Sequence, residues 1–128
     1  MPESARDKLD LVMYEGATFS ESFRWETDAA TPVAISLAGY TGIMHVRLDI
    51  ADETPLFELT TENGGIVIES PAADGVYTLH IAADDSEGIC TDHEMIAAPY
   101  DLMFEKEGAR LLQQYGTMKI YPSVTRPS

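Results

Sequence analysis

The residues best suited to chemistry lie together in DDSEGICTDHEM, residues 84–95. This stretch holds the single cysteine, Cys90, and one of three histidines, His93. It also carries five carboxylates: Asp84, Asp85, Glu87, Asp92 and Glu94. Metal binding is the first chemistry such a set could do. Cys90-Thr91-Asp92-His93 is a Cys-x-x-His step, half of a structural zinc site by spacing. The other half is missing: His45 and His80 fall on outward strand faces, and no second cysteine or paired histidine step exists. Calcium fares no better, because Asp84-Asp85-Ser86-Glu87-Gly88 lacks the alternating acidic order of the twelve-residue loop. Thiol catalysis is the second possibility, with Cys90 as nucleophile, His93 as base and a carboxylate behind it. No sequence cue supplies the oxyanion donor or the cleft such a reaction needs. A cysteine beside an isoleucine also reads as a small buried hydrophobe. The chain has no G-x-S-x-G, no H-E-x-x-H, no P-loop and no G-x-G-x-x-G. We therefore expect no catalytic residues, no cofactor-binding residues and no metal ligands. The stretch reads as a crossing between two strands, with one helical turn. Ile89 and Met95 would anchor it inward while its acids face water.

The elements around it follow a period of two. In TFSESFRWE (18–26), Phe19, Phe23 and Trp25 share a face with Glu21. Met44, Val46, Leu48 and Ile50 alternate with polar residues in 42–50, as do Tyr77, Leu79 and Ile81 in 75–83 and Tyr100, Leu102 and Phe104 in 100–106. This alternation predicts antiparallel strands with one buried and one wet face. LDLVMY (9–14) reads as an opening strand and PVAISL (32–37) as a short or edge strand. LFELTT (56–61) and GIVIES (65–70) flank Glu62-Asn63-Gly64, which predicts a hairpin. Glu107-Gly108 is the expected turn into ARLLQQY (109–115), which reads as a strand or a short helix. A bulge or kink at Gly116 would join it to TMKIY (117–121) as one long strand. Tyr100, near the start of a late strand, matches the tyrosine that caps a corner in immunoglobulin-like sandwiches. The fold expected is all-β: an immunoglobulin-like antiparallel β-sandwich of about seven to nine strands. A flexible N-terminal arm (1–8) precedes a single domain (9–121), and a loose tail (122–128) follows it.

Composition sets the outer limits. The chain has 128 residues and a formal net charge of −14. That length suits one domain with a core of its own and no disulfide. Its eight Lys and Arg residues are scattered, so the basic footprint of a nucleic-acid binder is missing. MPESARDKLDL has no apolar h-region, so no signal peptide is expected. No apolar run approaches the roughly 20 residues of a membrane helix.

The order of segments resembles a group of small tailed-bacteriophage virion proteins and the N-terminal domains of phage baseplate and fibre proteins. Gly16-Ala17-Thr18-Phe19, the step from Pro32 to Gly39, Asn63-Gly64, Tyr100-Asp101-Leu102 and the closing Val124-Thr125-Arg126 carry the likeness. The closing GTMKIYPSVTR has isoleucine at its middle apolar position, a mild departure. The resemblance covers nearly the whole chain and implies an immunoglobulin-like sandwich serving in a virion at the tail, baseplate or neck. The chain would be made in the host cytoplasm and act without catalysis, docking on other virion proteins in a symmetric homo-oligomer. The arm (2–8), the crossing (84–97) and the tail (121–128) are the expected contact elements. A ligand- or glycan-binding adhesion module is the alternative, with Tyr40, Tyr115 and Tyr121 as its exposed aromatics. A third reading is an enzyme centred on Cys90 and His93.

Overall fold

Leu11 and Met13 are buried while Val12 and Tyr14 are exposed, and this two-residue alternation recurs in strand after strand. The computed structural model describes residues 7–27 and 30–124. Its strands are β1 (Asp7–Lys8), β2 (Leu11–Tyr14), β3 (Phe19–Arg24), β4 (Thr41–Val46), β5 (Phe57–Thr60), β6 (Ile66–Ile68), β7 (Val76–Ile81), β8 (Ile96–Lys106) and β9 (Ala109–Tyr121). One sheet runs β1-β9-β8-β4-β5, with β2 also on β9; the other runs β3-β7-β6. This is an all-β sandwich with the strand order of an immunoglobulin-like domain whose opening strand has joined the sheet of the last strand. That move corrects the all-antiparallel expectation: β1 and β2 pair with β9 in parallel.

The two inner faces supply one core. Trp25 stacks on Phe104, centroids 5.6 Å apart, and Tyr77 meets the same ring edge-on at 5.1 Å. Such aromatic pairs add about 1 kcal/mol each beyond the area they bury. Phe19 and Trp25 are buried and Phe23 is half-buried against Tyr77, as the alternation predicts.

Several expectations change. Leu48 and Ile50 are 54% and 80% exposed, because β4 ends at Val46 and the chain leaves the sheet. A polar turn begins there: Asp49 accepts the Ala51 N–H through its side chain and the Asp52 N–H through its carbonyl. Residues 32–37 form no strand; a single bridge joins Ala34 to Glu26. The Asn63-Gly64 turn does not close a hairpin. β5 pairs with β4 and β6 pairs with β7, so the turn carries the chain from one sheet to the other. Gly65 permits this corner, since a Cβ there would sit 2.7 Å from that of Leu59. ARLLQQY is strand, continuous with TMKIY in β9. Its bulge falls at Gln113 rather than Gly116, because Leu102 pairs with Gln114 while Met103 pairs with Leu112. Gly116 serves a different need: a Cβ there would lie 2.3 Å from the Leu9 carbonyl oxygen, so glycine lets the opening strand cross close by. Glu107-Gly108 is a tight turn with both φ angles positive, at 52° and 85°.

The arm assigned to 1–8 ends inside the sheet, since Asp7 and Lys8 pair with Gln114 and Tyr115. Residues 1–6 lie outside the described residues, as do 125–128 of the tail and with them Thr125 and Arg126. The first tail residues are tied in: the Ser123 N–H donates to Glu15 Oε1 at 3.1 Å.

Candidate functional site

The crossing between β7 and β8 is built by two buried polar side chains. It opens on one helical turn, α1 (Ala83–Ser86), as anticipated. Ser86 is fully buried and its hydroxyl accepts the Gly16 N–H at 2.9 Å. Glu15, 6% exposed, accepts the Cys90 N–H through Oε2 at 2.8 Å and the Ser123 N–H through Oε1. One carboxylate thereby holds the end of β2, the crossing and the start of the tail. Sequence reasoning missed Glu15; the only signal was an acid closing an apolar strand. Such charge-assisted bonds to a buried carboxylate are worth about 1.5–3 kcal/mol each.

Cys90 packs inward, 3% exposed, with its thiol directed to the Ile120 carbonyl at 3.7 Å. Burial first, and the Glu15 charge second, push its pKa up from 9.0. A thiolate is the reactive form, so this environment suppresses nucleophilic chemistry. His93 lies on the exposed turn beyond, at φ 59°, its N–H bonded to the Cys90 carbonyl. The five acids of the stretch face water. Among the described residues, no group of three or more His, Cys, Asp or Glu side chains converges as a metal site would require. Ile89 packs on the core, but Met95 is 44% exposed and does not anchor the crossing.

The tyrosines divide. Tyr40 is drawn against the core, edge-on to Trp25 at 5.6 Å and Phe104 at 6.2 Å, with the Lys106 ammonium 5.3 Å above its ring. It is not the exposed platform the adhesion reading assigned to it. Tyr115 and Tyr121 do remain exposed. The Tyr100 hydroxyl reaches across the fold to donate to the Leu9 carbonyl at 2.6 Å. It accepts from Gln114 Nε2 at 3.0 Å, and Gln114 Oε1 accepts from the Tyr77 hydroxyl. This directional chain joins both sheets to the opening strand, and the bulge at Gln113 lets Gln114 enter it. Burial, reinforced by Asp10 and Glu21, pushes Tyr100 up to about 12 despite the opposing Gln114 bond.

The two outer faces differ in character. Over β3-β7-β6 the face is mainly polar, with Val67 exposed beside Thr78: Ser22 and Thr78 share a hydrogen bond at 2.7 Å, and Thr78 donates to Glu69 at 2.7 Å. Over the six-stranded sheet exposed apolar side chains alternate with charged ones, among them Lys119, Asp101, Glu105 and Glu58. Tyr14 and Tyr121 lie side by side with centroids 5.8 Å apart, next to Val12. Ile43 and Tyr115 stand out further along the face. A hollow of about 340 Å³ opens there beside His45, Arg47, Ile50 and Asp101. Arg47 can only donate, so its 2.9 Å contact makes His45 Nδ1 an acceptor and leaves Nε2–H to donate to Glu58 at 2.9 Å. Arg47 also donates to the Asp52 and Glu53 carbonyls, which fixes the loop at the rim.

No family model matches the chain, and a comparison with curated proteins gives no match either.

Proposed function

We propose that the chain is a non-enzymatic docking module that serves as a structural component of a tailed-phage or prophage particle, at the tail, baseplate or neck. It acts by protein–protein contact with other virion proteins in a symmetric assembly. The observation that carries the docking part is the contrast between the outer faces. Five exposed large side chains, Val12, Tyr14, Ile43, Tyr115 and Tyr121, stand over the six-stranded sheet, while the opposite face carries Val67 beside its polar pairs. Apolar surface gathered on one side of a small domain marks an interaction site, and buried aromatics dominate the energy of such contacts. The inert surroundings of Cys90 support the non-enzymatic part. Support for the particle comes from the resemblance in segment order.

The test has two arms. Mass spectrometry of gradient-purified particles from a lysogen carrying the gene should find the chain at stoichiometric level; its absence from the particles would remove the virion assignment. Tagged chain should co-purify a particle protein, and Tyr115→Asp or Ile43→Asp should release it without lowering the Tm. Thr78→Asp, on the opposite face, should leave the complex intact. A complex lost with Thr78→Asp and kept with the other two would place the contact elsewhere.

A further inference from the structure

We propose that the free edge of β3 is a second docking site, which takes up an extended, lysine- or arginine-bearing segment of a different chain as a fourth strand of the smaller sheet. The hydrogen-bond parity of β3 sets this up. The Trp25 N–H donates to the Gly75 carbonyl at 2.8 Å, so Phe19, Glu21 and Phe23 direct their backbone groups at β7. Ser20, Ser22 and Arg24 must then turn theirs outward. Among the described residues no strand pairs with that side. The opening strand that would cover it lies on β9 instead.

The other edges are blunted. At β5, the Asn63 side chain imitates a neighbouring strand: its carbonyl oxygen accepts the Thr60 N–H and its amide donates to the Glu58 carbonyl, both at 2.9 Å. β6 is three residues long. The edge formed by β1 and β2 is interrupted at Leu9 and Asp10. β3 offers six continuous residues. Unpaired backbone of that length is a template for strand addition, in which the ladder supplies affinity and side chains supply choice.

Charge names the occupant. Glu21 sits on the inward row of β3 between Phe19 and Phe23, yet it is exposed and has no ion-pair partner among the described residues. Arg24, by contrast, is already paired with Glu26 at 3.1 Å. If two copies joined edge to edge, their Glu21 carboxylates would lie on one face, directly opposite or on the diagonal, where like charges destabilise. Each copy also brings a charge of −14. A basic side chain opposite Glu21 reverses the sign of that interaction. The inward carboxylate thus rejects a second copy and selects a cationic strand.

The probe is a fluorescein-labelled heptapeptide alternating valine with lysine, read by anisotropy and by amide hydrogen exchange of the full chain. Saturable binding should slow exchange at Ser20, Ser22 and Arg24 by about tenfold or more. The same peptide with glutamate for lysine, or with alternate bonds N-methylated, should not bind. Ser22→Pro removes an outward N–H without touching the ladder to β7, so it should abolish binding and leave the Tm near wild type. Glu21→Lys provides an independent check and should transfer binding to the glutamate peptide. The proposal is overturned if protection appears elsewhere, if the N-methylated peptide binds equally, or if neither variant alters binding. It is also overturned if light scattering shows a dimer with these amides already protected, since the occupant would then be a second copy. The proposal shares with the docking reading only the premise that the partner is a protein. Failure of the peptide leaves the tests of the six-stranded face unaffected.

Discussion

Cys90 and Glu15 meet through a backbone N–H, and they have opposite tolerances. Cys90 contributes a small apolar volume, so Cys90→Ser should fold and lose about 1–2 kcal/mol in urea denaturation. Its thiol should react slowly with Ellman's reagent in the native state and quickly once unfolded; rapid native labelling would show that the crossing opens. Glu15 bonds to backbone N–H groups in two distant segments, so its loss would remove the carboxylate that the buried Cys90 N–H donates to. Tyr100 makes a pH prediction. Its folded pKa is raised to about 12 from 10.0. The protonated hydroxyl is therefore favoured by the fold. This stability is fully present below pH 10 and is lost as pH rises from 10 towards 12, where the unfolded chain has released a proton that the native state still holds. Tyr100→Phe should cost about 1–3 kcal/mol at neutral pH, from the unpaired Leu9 carbonyl and Gln114 amide. It should also flatten the alkaline decline. Thermal melts of both proteins across that window measure it, and an identical decline in the variant would assign the effect to other groups.

At the scale of elements, turns decide which sheet a strand joins. The Asn63 side chain makes three hydrogen bonds to backbone N–H or C=O groups of Glu58, Thr60 and Gly65. It both shapes the corner between β5 and β6 and closes the β5 edge. Asn63→Ala should therefore have two effects. Stability should fall by about 1–3 kcal/mol, and the uncovered edge should promote association. Chemical denaturation and concentration-dependent light scattering read the two separately. A stability loss with no change in association would mean that Asn63 shapes the turn without protecting the edge. The opening strand depends on a different local device. Leu9 passes so close to Gly116 that any side chain there would displace it, and the Asp10 carboxylate accepts the Thr117 N–H at 3.1 Å to hold the crossing in place.

The whole molecule carries 22 acidic against 8 basic residues. Like-charged copies repel, most strongly at low salt, where screening is weakest. We expect the isolated chain to be monomeric or a small oligomer in dilute solution and to associate stably only with a partner. Light scattering at low and high salt checks this; a stable large oligomer at low salt would show that apolar contact between copies outweighs the repulsion. Contacts repeated around a symmetry axis would then let individually weak interfaces add up in an assembly. Deleting residues 2–8 is not a clean test of docking, because it also removes β1 from the sheet.

The alternation of apolar and polar residues by itself determined the fold class, most strands and the inward row of the core. Side-chain direction in a strand has a period of two whatever the strand pairs with. The isoleucine beside it made Cys90 read as a buried residue, and the acids around it as a solvated surface. Pairing partners were not legible, because a strand's own pattern says which face is buried but not which neighbour completes its ladder. Hence Asn63-Gly64 looks like a hairpin turn and proves to be a passage between sheets, and the opening segment lies parallel to β9. Leu48 and Ile50 keep the alternation after β4 has ended, since the pattern does not record where the chain leaves the sheet. Glu15, Gln114 and the free edge of β3 emerge only in the tertiary structure. Each depends on segments far apart in sequence arriving at one place, and that is a property of the packing of both sheets rather than of any local stretch.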